Sequence, residues 1–217
     1  MDKFSFSSIL DGKSQSLPEQ IASHIMRKIF KGELTQGTRL IESDIAEELN
    51  VSNIPVRESF YLLQNTGVVE RLPRRGVRVK SFSQQEMDDY TEALVRLSEL
   101  AIDYSEPKWD EEKRDRLRKY LVEAERSLSQ NDILEYVVNV HRLCGHIFQV
   151  AENIAFMRIY SDITFITNAY SQLKWSDVEK TRSRYAYLEQ MVQAILRSDF
   201  AQAKEAFEIL IRQSLNL

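Results

Sequence analysis

Cysteine, histidine, proline and glycine are all scarce in this 217-residue chain, and each scarcity removes a class of protein. One cysteine, Cys144, excludes an intrachain disulfide and any multi-cysteine zinc site. Six glycines and four prolines argue against a turn-dense β fold and favour helices. No apolar run approaches the roughly 18 residues that a membrane span needs, and none resembles a secretory signal, so a cytoplasmic location is expected. Three scattered histidines, with no nucleophile elbow, phosphate loop or carboxylate–histidine set, give catalysis little to work with; no enzyme is expected. What remains is ordinary for a water-soluble globular chain, 43% hydrophobic and 29% charged.

The net charge of −4 conceals an asymmetry. Residues 1–80 carry 12 lysines and arginines against 10 acids, and residues 81–217 carry 17 against 23. Between 71 and 80 stand Arg71, Arg74, Arg75, Arg78 and Lys80 with no acid among them. So local a footprint suits a small surface meeting phosphates, with weak and salt-dependent non-specific affinity.

The stretch from Leu40 to Lys80 organises the rest. Ile41, Ile45, Ala46 and Leu49 fall at helical spacing and predict a short helix over 43–49. Asn50 follows at a tight turn, Ser52 is placed as an N-cap, and Pro55 falls in the first turn of a second helix. Val56, Phe60 and Leu63 make its buried stripe, leaving Asn53, Arg57 and Tyr61 on other faces; Gly67 closes it. Two β runs, 68–72 and 77–80, flank Pro73-Arg74-Arg75-Gly76. Upstream, Leu17, Ile21, Ile25 and Ile29 predict a helix over 17–31 that Gly32 ends, and the serine-rich residues 1–16 read as a flexible arm. Helix, turn, helix and basic-tipped hairpin make a winged helix-turn-helix.

These residues resemble the DNA-binding domain of the GntR family of bacterial transcription regulators. The match runs through Ser52-x-x-Pro55-Val56-Arg57-Glu58, Leu62/Leu63, Gly67-Val68 and Pro73-x-x-Gly76-x-x-Val79. Upstream it continues through Ile29-x-x-Gly32-x-Leu34-x-x-Gly37-x-Arg39-Leu40-x-Glu42, so it covers about 17–80. The resemblance implies that Arg57 reaches guanine or a phosphate, and that Arg39 and Ser52 hold backbone. It also implies that Arg74, Arg75 and Gly76 enter the neighbouring minor groove. Asn53 stands where many members carry arginine, a change that favours adenine over guanine at that contact.

From 81 onward the pattern is helical, with six helices expected in about 135 residues: 83–105, 109–130, 132–150, 154–173, 176–197 and 200–216. Ser83 and Glu86 make a capping-box pattern, Pro107 breaks the first helix, and Asn153 reads as a cap. This antiparallel bundle resembles the effector-binding and dimerisation domain of the FadR subgroup, through Ala151-x-Asn153 and Ser198-Asp199 with Ala203 and Ala206 behind.

Many members of that subgroup hold a divalent metal on one aspartate and three histidines. The matching positions here are Val140, Cys144, Leu188 and Leu210, none of them an aspartate or histidine, so a metal-free bundle with no cofactor is expected. His141 and His146 are off that register by three and two residues. Val140, Cys144, Leu188, Leu210 and Arg96 are then the candidates for an effector pocket, more apolar than in metal-binding relatives. Tyr160, Phe165, Tyr170, Tyr185 and Tyr187 could line such a pocket, but aromatic residues at these spacings are more often plain core. Cys144 reads as a small buried hydrophobe, or as a sensor thiol if His141 and Arg142 converge on it.

The expectation is therefore a mostly α protein: arm (1–16), winged helix-turn-helix (17–80) and helical effector and dimer domain (81–217). The resemblance implies a homodimer on a pseudo-palindromic double-stranded operator, repressing by default, with a small molecule tuning affinity. The alternative keeps the fold but makes the helical domain an effector-free interaction module.

Overall fold

The computed structural model describes residues 16–73, 76–175 and 178–215. The chain divides into two units. The first ends at Ser83 and also takes in Thr164–Gln172; the second is formed by Gln84–Ile163 and the residues after Gln172.

The first unit opens with α1 (Leu17–Phe30), whose start is fixed by the Glu19 carboxylate accepting from the Ser16 backbone N–H at 2.8 Å. Ile21, Ile25 and Ile29 recur every fourth residue, with Ala22 and Met26 beside them, and all five are buried. This face packs on α3 (Asn53–Asn65), which returns Val56, Phe60 and Leu63. Between them lie β1 (Arg39–Leu40) and α2 (Glu42–Leu49). Across the α1–α2 crossing, Glu48 accepts from Lys28 Nζ at 2.8 Å and lies 2.9 Å from His24 Nε2. Those two partners hold its carboxyl below the usual range, Lys28 contributing most.

The sheet holds the expected hairpin and one strand more. β2 (Val69–Leu72) and β3 (Gly76–Val79) pair antiparallel with Val69 opposite Val79 and Leu72 opposite Gly76. β1 adds on the other side of β3, Arg39 facing Arg78 and Leu40 facing Val77. Two residues cannot show a period-2 pattern, which is why β1 is silent in the sequence. The link just before it is tied to the same edge, Gly37 N–H donating to the Val79 carbonyl at 2.9 Å.

In the second unit α4 (Gln84–Ser105) ends just before Pro107, as expected, and passes into a single 3-10 turn (Glu106–Lys108). Then follow along the chain α5 (Glu111–Ser129), α6 (Ile133–Ala151), α7 (Ile154–Trp175, of which Thr164–Gln172 belong to the first unit), α8 (Val178–Leu196) and α9 (Phe200–Leu215). Three of these starts are side-chain caps: Asp110 accepts from Lys113 N–H, Asp132 from Glu135 N–H, and Asn153 from Ala155 and Phe156 N–H. α4 packs on α6 and α9, α5 on α6 and α8, and α8 on α9. Leu117, Leu143, Ile147, Leu188, Met191 and Val192 are wholly buried within these helices. No helix among the described residues is long and apolar enough to cross a membrane.

Candidate nucleic-acid interface

The turn between α2 and α3 is built from the backbone. Asn50 adopts the left-handed conformation (φ 52°, ψ 49°), and Val51 N–H donates back to the Ala46 carbonyl at 2.9 Å. Ser52 takes the extended N-cap conformation, yet its hydroxyl makes no capping hydrogen bond and the residue is exposed. Its geometry caps the helix while its side chain faces solvent. With Val56, Phe60 and Leu63 anchoring the inner face, α3 turns Asn53, Ile54, Arg57, Glu58 and Tyr61 outward. Pro55 is half-buried in the first turn.

Arg57 is not a loose side chain. Its Nη2 donates to Glu42 Oε2 at 2.8 Å and its Nε to both carboxylate oxygens at 3.2 and 3.3 Å. The guanidinium holds the Glu42 carboxyl below the ordinary carboxylate range, and the carboxylate raises the Arg57 pKa in return. On the same helix Tyr61 accepts from Arg71 Nη1 at 3.2 Å, the Arg71 guanidinium lying 5.4 Å from its ring centre. Through these two pairs α3 is tied to the start of α2 and to strand β2.

The basic cluster is partly engaged within the protein. Arg78 Nε donates to Glu70 at 2.7 Å, directly across the β2–β3 ladder, and Lys80 lies 4.5 Å from the centre of the Phe82 ring. Arg39 is exposed on β1, opposite Arg78. Gly76 opens β3 with a φ of +84°, and a Cβ there would meet nothing within 4 Å; the backbone conformation alone calls for glycine. Arg74 and Arg75 lie outside the described residues.

The effector-pocket candidates do not share one environment. Cys144, Leu188 and Leu210 are buried and Val140 is half-buried. Arg96 is exposed on α4, its guanidinium donating to Glu92 at 2.8 Å and to Glu99 at 3.0 Å. The Cys144 thiol is pushed up to about 12 by burial; no convergence of His141 and Arg142 lowers it. His141 stacks on Tyr160, whose hydroxyl donates to the His141 carbonyl at 3.1 Å, and burial holds its imidazole down to about 4. His146 lies 2.9 Å from the Lys113 carbonyl through Nε2, between the edges of Trp109 and Tyr120. The two histidines serve different neighbours, and no group of three His, Cys, Asp or Glu converges among the described residues.

Sequence reasoning picks out Asn53 and Arg57 but misses what holds Arg57, and it gives Ile54 no role. Glu42 is visible as a family match; its pairing across two helices leaves no periodic signal.

This geometry has counterparts in known proteins. The family described as "Bacterial regulatory proteins, gntR family" matches residues 17–79. The uncharacterized HTH-type transcriptional regulator YdhC of Bacillus subtilis is 28% identical over 109 residues, 50% of this chain and 49% of YdhC. The Escherichia coli regulator McbR is 24% identical over 131 residues, 60% of this chain and 59% of McbR. The chain thus aligns with only about half the length of these curated relatives. Among solved structures, E. coli McbR/YncC superposes with a TM-score of 0.76 at 17% identity, covering 92% of this chain and 95% of that one. Lar, described as controlling expression of the Listeria monocytogenes agr system, gives 0.65 at 22% identity over 94% and 99%. Residues 17–79 thus match the gntR family of bacterial regulatory proteins, as a winged helix-turn-helix domain in a chain that shares the fold of McbR/YncC.

Proposed function

We propose that this chain is a transcription regulator that binds double-stranded DNA as a homodimer, repressing by default. The observation that carries this reading is α3. It is anchored by a wholly buried stripe, turns Asn53 and Arg57 outward, and has Arg57 held in place by Glu42. Entry of the first turn of such a helix into the major groove lets two or three side chains reach base edges. Ser52 and Arg39 then hold phosphates, while Arg74, Arg75 and Gly76 meet the adjacent groove.

A homodimer follows from the two-fold symmetry of paired half-sites and has a candidate surface in the second unit. Leu100 and Tyr104 stand one turn apart on α4 and are 46% and 50% exposed. The Tyr104 ring meets Phe156 of α7 edge-on at 5.1 Å, and Ile159, one turn beyond, is 46% exposed. Such adjoining apolar groups on a charged protein suit burial against a second copy.

We also infer that the second unit works without a divalent metal. Val140, Leu188 and Leu210 are hydrocarbon, and Cys144 keeps its proton; that set does not fit a cation needing neutral imidazoles and carboxylates. An effector admitted there meets a mainly apolar lining and changes how tightly the paired heads hold DNA.

The test is fluorescence anisotropy with DNA from upstream of the protein's own gene, and with sites selected from a random pool, over a salt series. Tight binding that resists scrambled competitor and weakens steeply with salt is expected. Binding no tighter than to scrambled DNA, with no sequence enriched, would sink the proposal. Thermal-shift screening tests the effector half, since a true ligand raises the unfolding temperature by mass action.

A further inference from the structure

We propose that Ile54 is a specificity determinant that reads the 5-methyl group of a thymine in each half-site; this rests on the DNA-binding reading above. Ile54 is 67% exposed, more than Leu17, Ile41 or Tyr61, the other large apolar side chains exposed among the described residues of the first unit. It sits in the first turn of α3, between Asn53 and Pro55.

Folding gives this position no reason to be isoleucine. The inner face is complete in Val56, Phe60 and Leu63, so Ile54 adds nothing to the core. A β-branched residue is a poorer helix former than most, because its χ1 freedom is lost against the preceding turn. A residue before proline is pushed away from helical geometry as well. Tyr61, exposed on the same helix, has Arg71 against it.

The chemistry of the groove narrows the partner. Isoleucine has no donor or acceptor, so it cannot hold a phosphate or pair with a base edge. The apolar group a base pair presents in the major groove is the thymine methyl. The stiffness that makes isoleucine a poor helix former becomes useful here, since a single χ1 rotamer holds its methyls in place with little entropy left to lose on contact. Asn53, its neighbour, is suited to adenine, so the two side chains together favour an A·T-containing step. Arg57, one turn beyond Asn53, is the candidate for guanine.

The test starts from half-sites selected by the full-length protein from random duplex DNA. Each thymine is replaced singly by deoxyuridine, which removes the methyl and nothing else, and affinity is read by anisotropy for the wild type, Ile54→Ser and Ile54→Val. At one position the replacement should weaken the wild type about fourfold, what burying a single methyl-sized group is worth. The same replacement should leave Ile54→Ser nearly unchanged, with Ile54→Val between. Because Ile54 is exposed, circular dichroism should report all three proteins equally folded. An equal penalty for wild type and Ile54→Ser, or enriched half-sites with no fixed thymine, would overturn this inference while leaving the DNA-binding proposal intact. Enrichment of no sequence at all would overturn both.

Discussion

Arg57 and Glu42 are fifteen residues apart in sequence, yet the contact between them holds the Arg57 side chain in place on α3. An arginine free in solution meets any phosphate; one held by a carboxylate through Nε and Nη2 keeps its remaining donors in a fixed direction. As the side chains are 54% and 29% exposed, the pair contributes little to stability. Its value lies in placement. Glu42→Gln should therefore leave the unfolding temperature nearly unchanged, raise affinity for random DNA by removing a negative charge, and lower the ratio of specific to random binding. That ratio should fall about tenfold, the scale of one bidentate base contact, read by competition anisotropy. An unchanged ratio would mean that Arg57 finds its place without Glu42.

Cys144 makes the opposite case, a reactive residue type kept from reacting. Burial pushes its thiol up to about 12, so almost no thiolate exists at neutral pH. Labelling with a thiol reagent at pH 8 should be slower in the folded protein than in urea by about 100-fold or more. Fast labelling of the folded state would restore the sensor reading. His141 behaves similarly. Burial holds its pKa at about 4, below the 6.5 of an exposed imidazole, so between those values the unfolded chain binds the proton and the folded one does not. Stability should then fall as pH drops from about 6.5 toward about 4, by at most about 2 kcal/mol at pH 5. Glu42, Glu48, Glu92 and Asp110, all held low by cationic or backbone partners, lose their contribution at still lower pH. Thermal unfolding of the wild type and His141→Asn from pH 7 to 5 separates them, since the variant should lack the first part of the decline.

At the scale of elements, the ends of the helices matter more than their middles. Three helices of the second unit end on non-glycine residues at positive φ: Asn131 at 54°, Glu152 at 56° and Ser198 at 61°. Side chains from elsewhere support two of these ends. Lys108 donates to the Ala151 carbonyl, and Arg114 donates to the Ile195 carbonyl at 2.6 Å, the Leu196 carbonyl at 3.1 Å and the Ser198 hydroxyl at 3.1 Å. The guanidinium thus caps the C-terminus of α8, where carbonyls lack partners and the helix dipole favours a cation. Arg114→Ala should destabilise the second unit by about 2 kcal/mol, seen as a fall of several degrees in its thermal transition. A shift below one degree would mean that water replaces the guanidinium freely.

Those same ends explain what the sequence could and could not disclose. Helix bodies were legible because stripes such as Ile21-Ile25-Ile29 and Leu117-Leu121-Leu128 repeat at the helical period. Starts were legible where Asp110, Asp132 and Asn153 cap them. The Arg114 cap was not, because 81 residues separate its partners. Nor was β1, whose two residues owe their state to pairing with β3. In the interface, Asn53 and Arg57 were legible from motif position, whereas Glu42's grip on Arg57 and the exposure of Ile54 depend on how α2 and α3 cross.

For the whole molecule the question is how one small head becomes selective. The proposed contact set of Asn53, Ile54 and Arg57 would cover only a few base pairs, and each mismatch would cost about 1–3 kcal/mol. Doubling the set through a dimer multiplies the two discriminations, because binding of the second head becomes effectively intramolecular. Dimerisation and selectivity should therefore fail together. Leu100→Glu and Tyr104→Glu each place a charge on the apolar surface of α4, where burial against a copy would strand it unpaired. Sedimentation should move from the mass of two chains to that of one, and operator affinity should fall by about 100-fold or more while random-DNA affinity per head changes little. Leu100→Glu has no aromatic partner to lose, so it controls for the Tyr104–Phe156 contact. If both variants sediment as dimers with unchanged operator affinity, the two copies meet through another surface; if both become monomers that still select the operator, one head suffices.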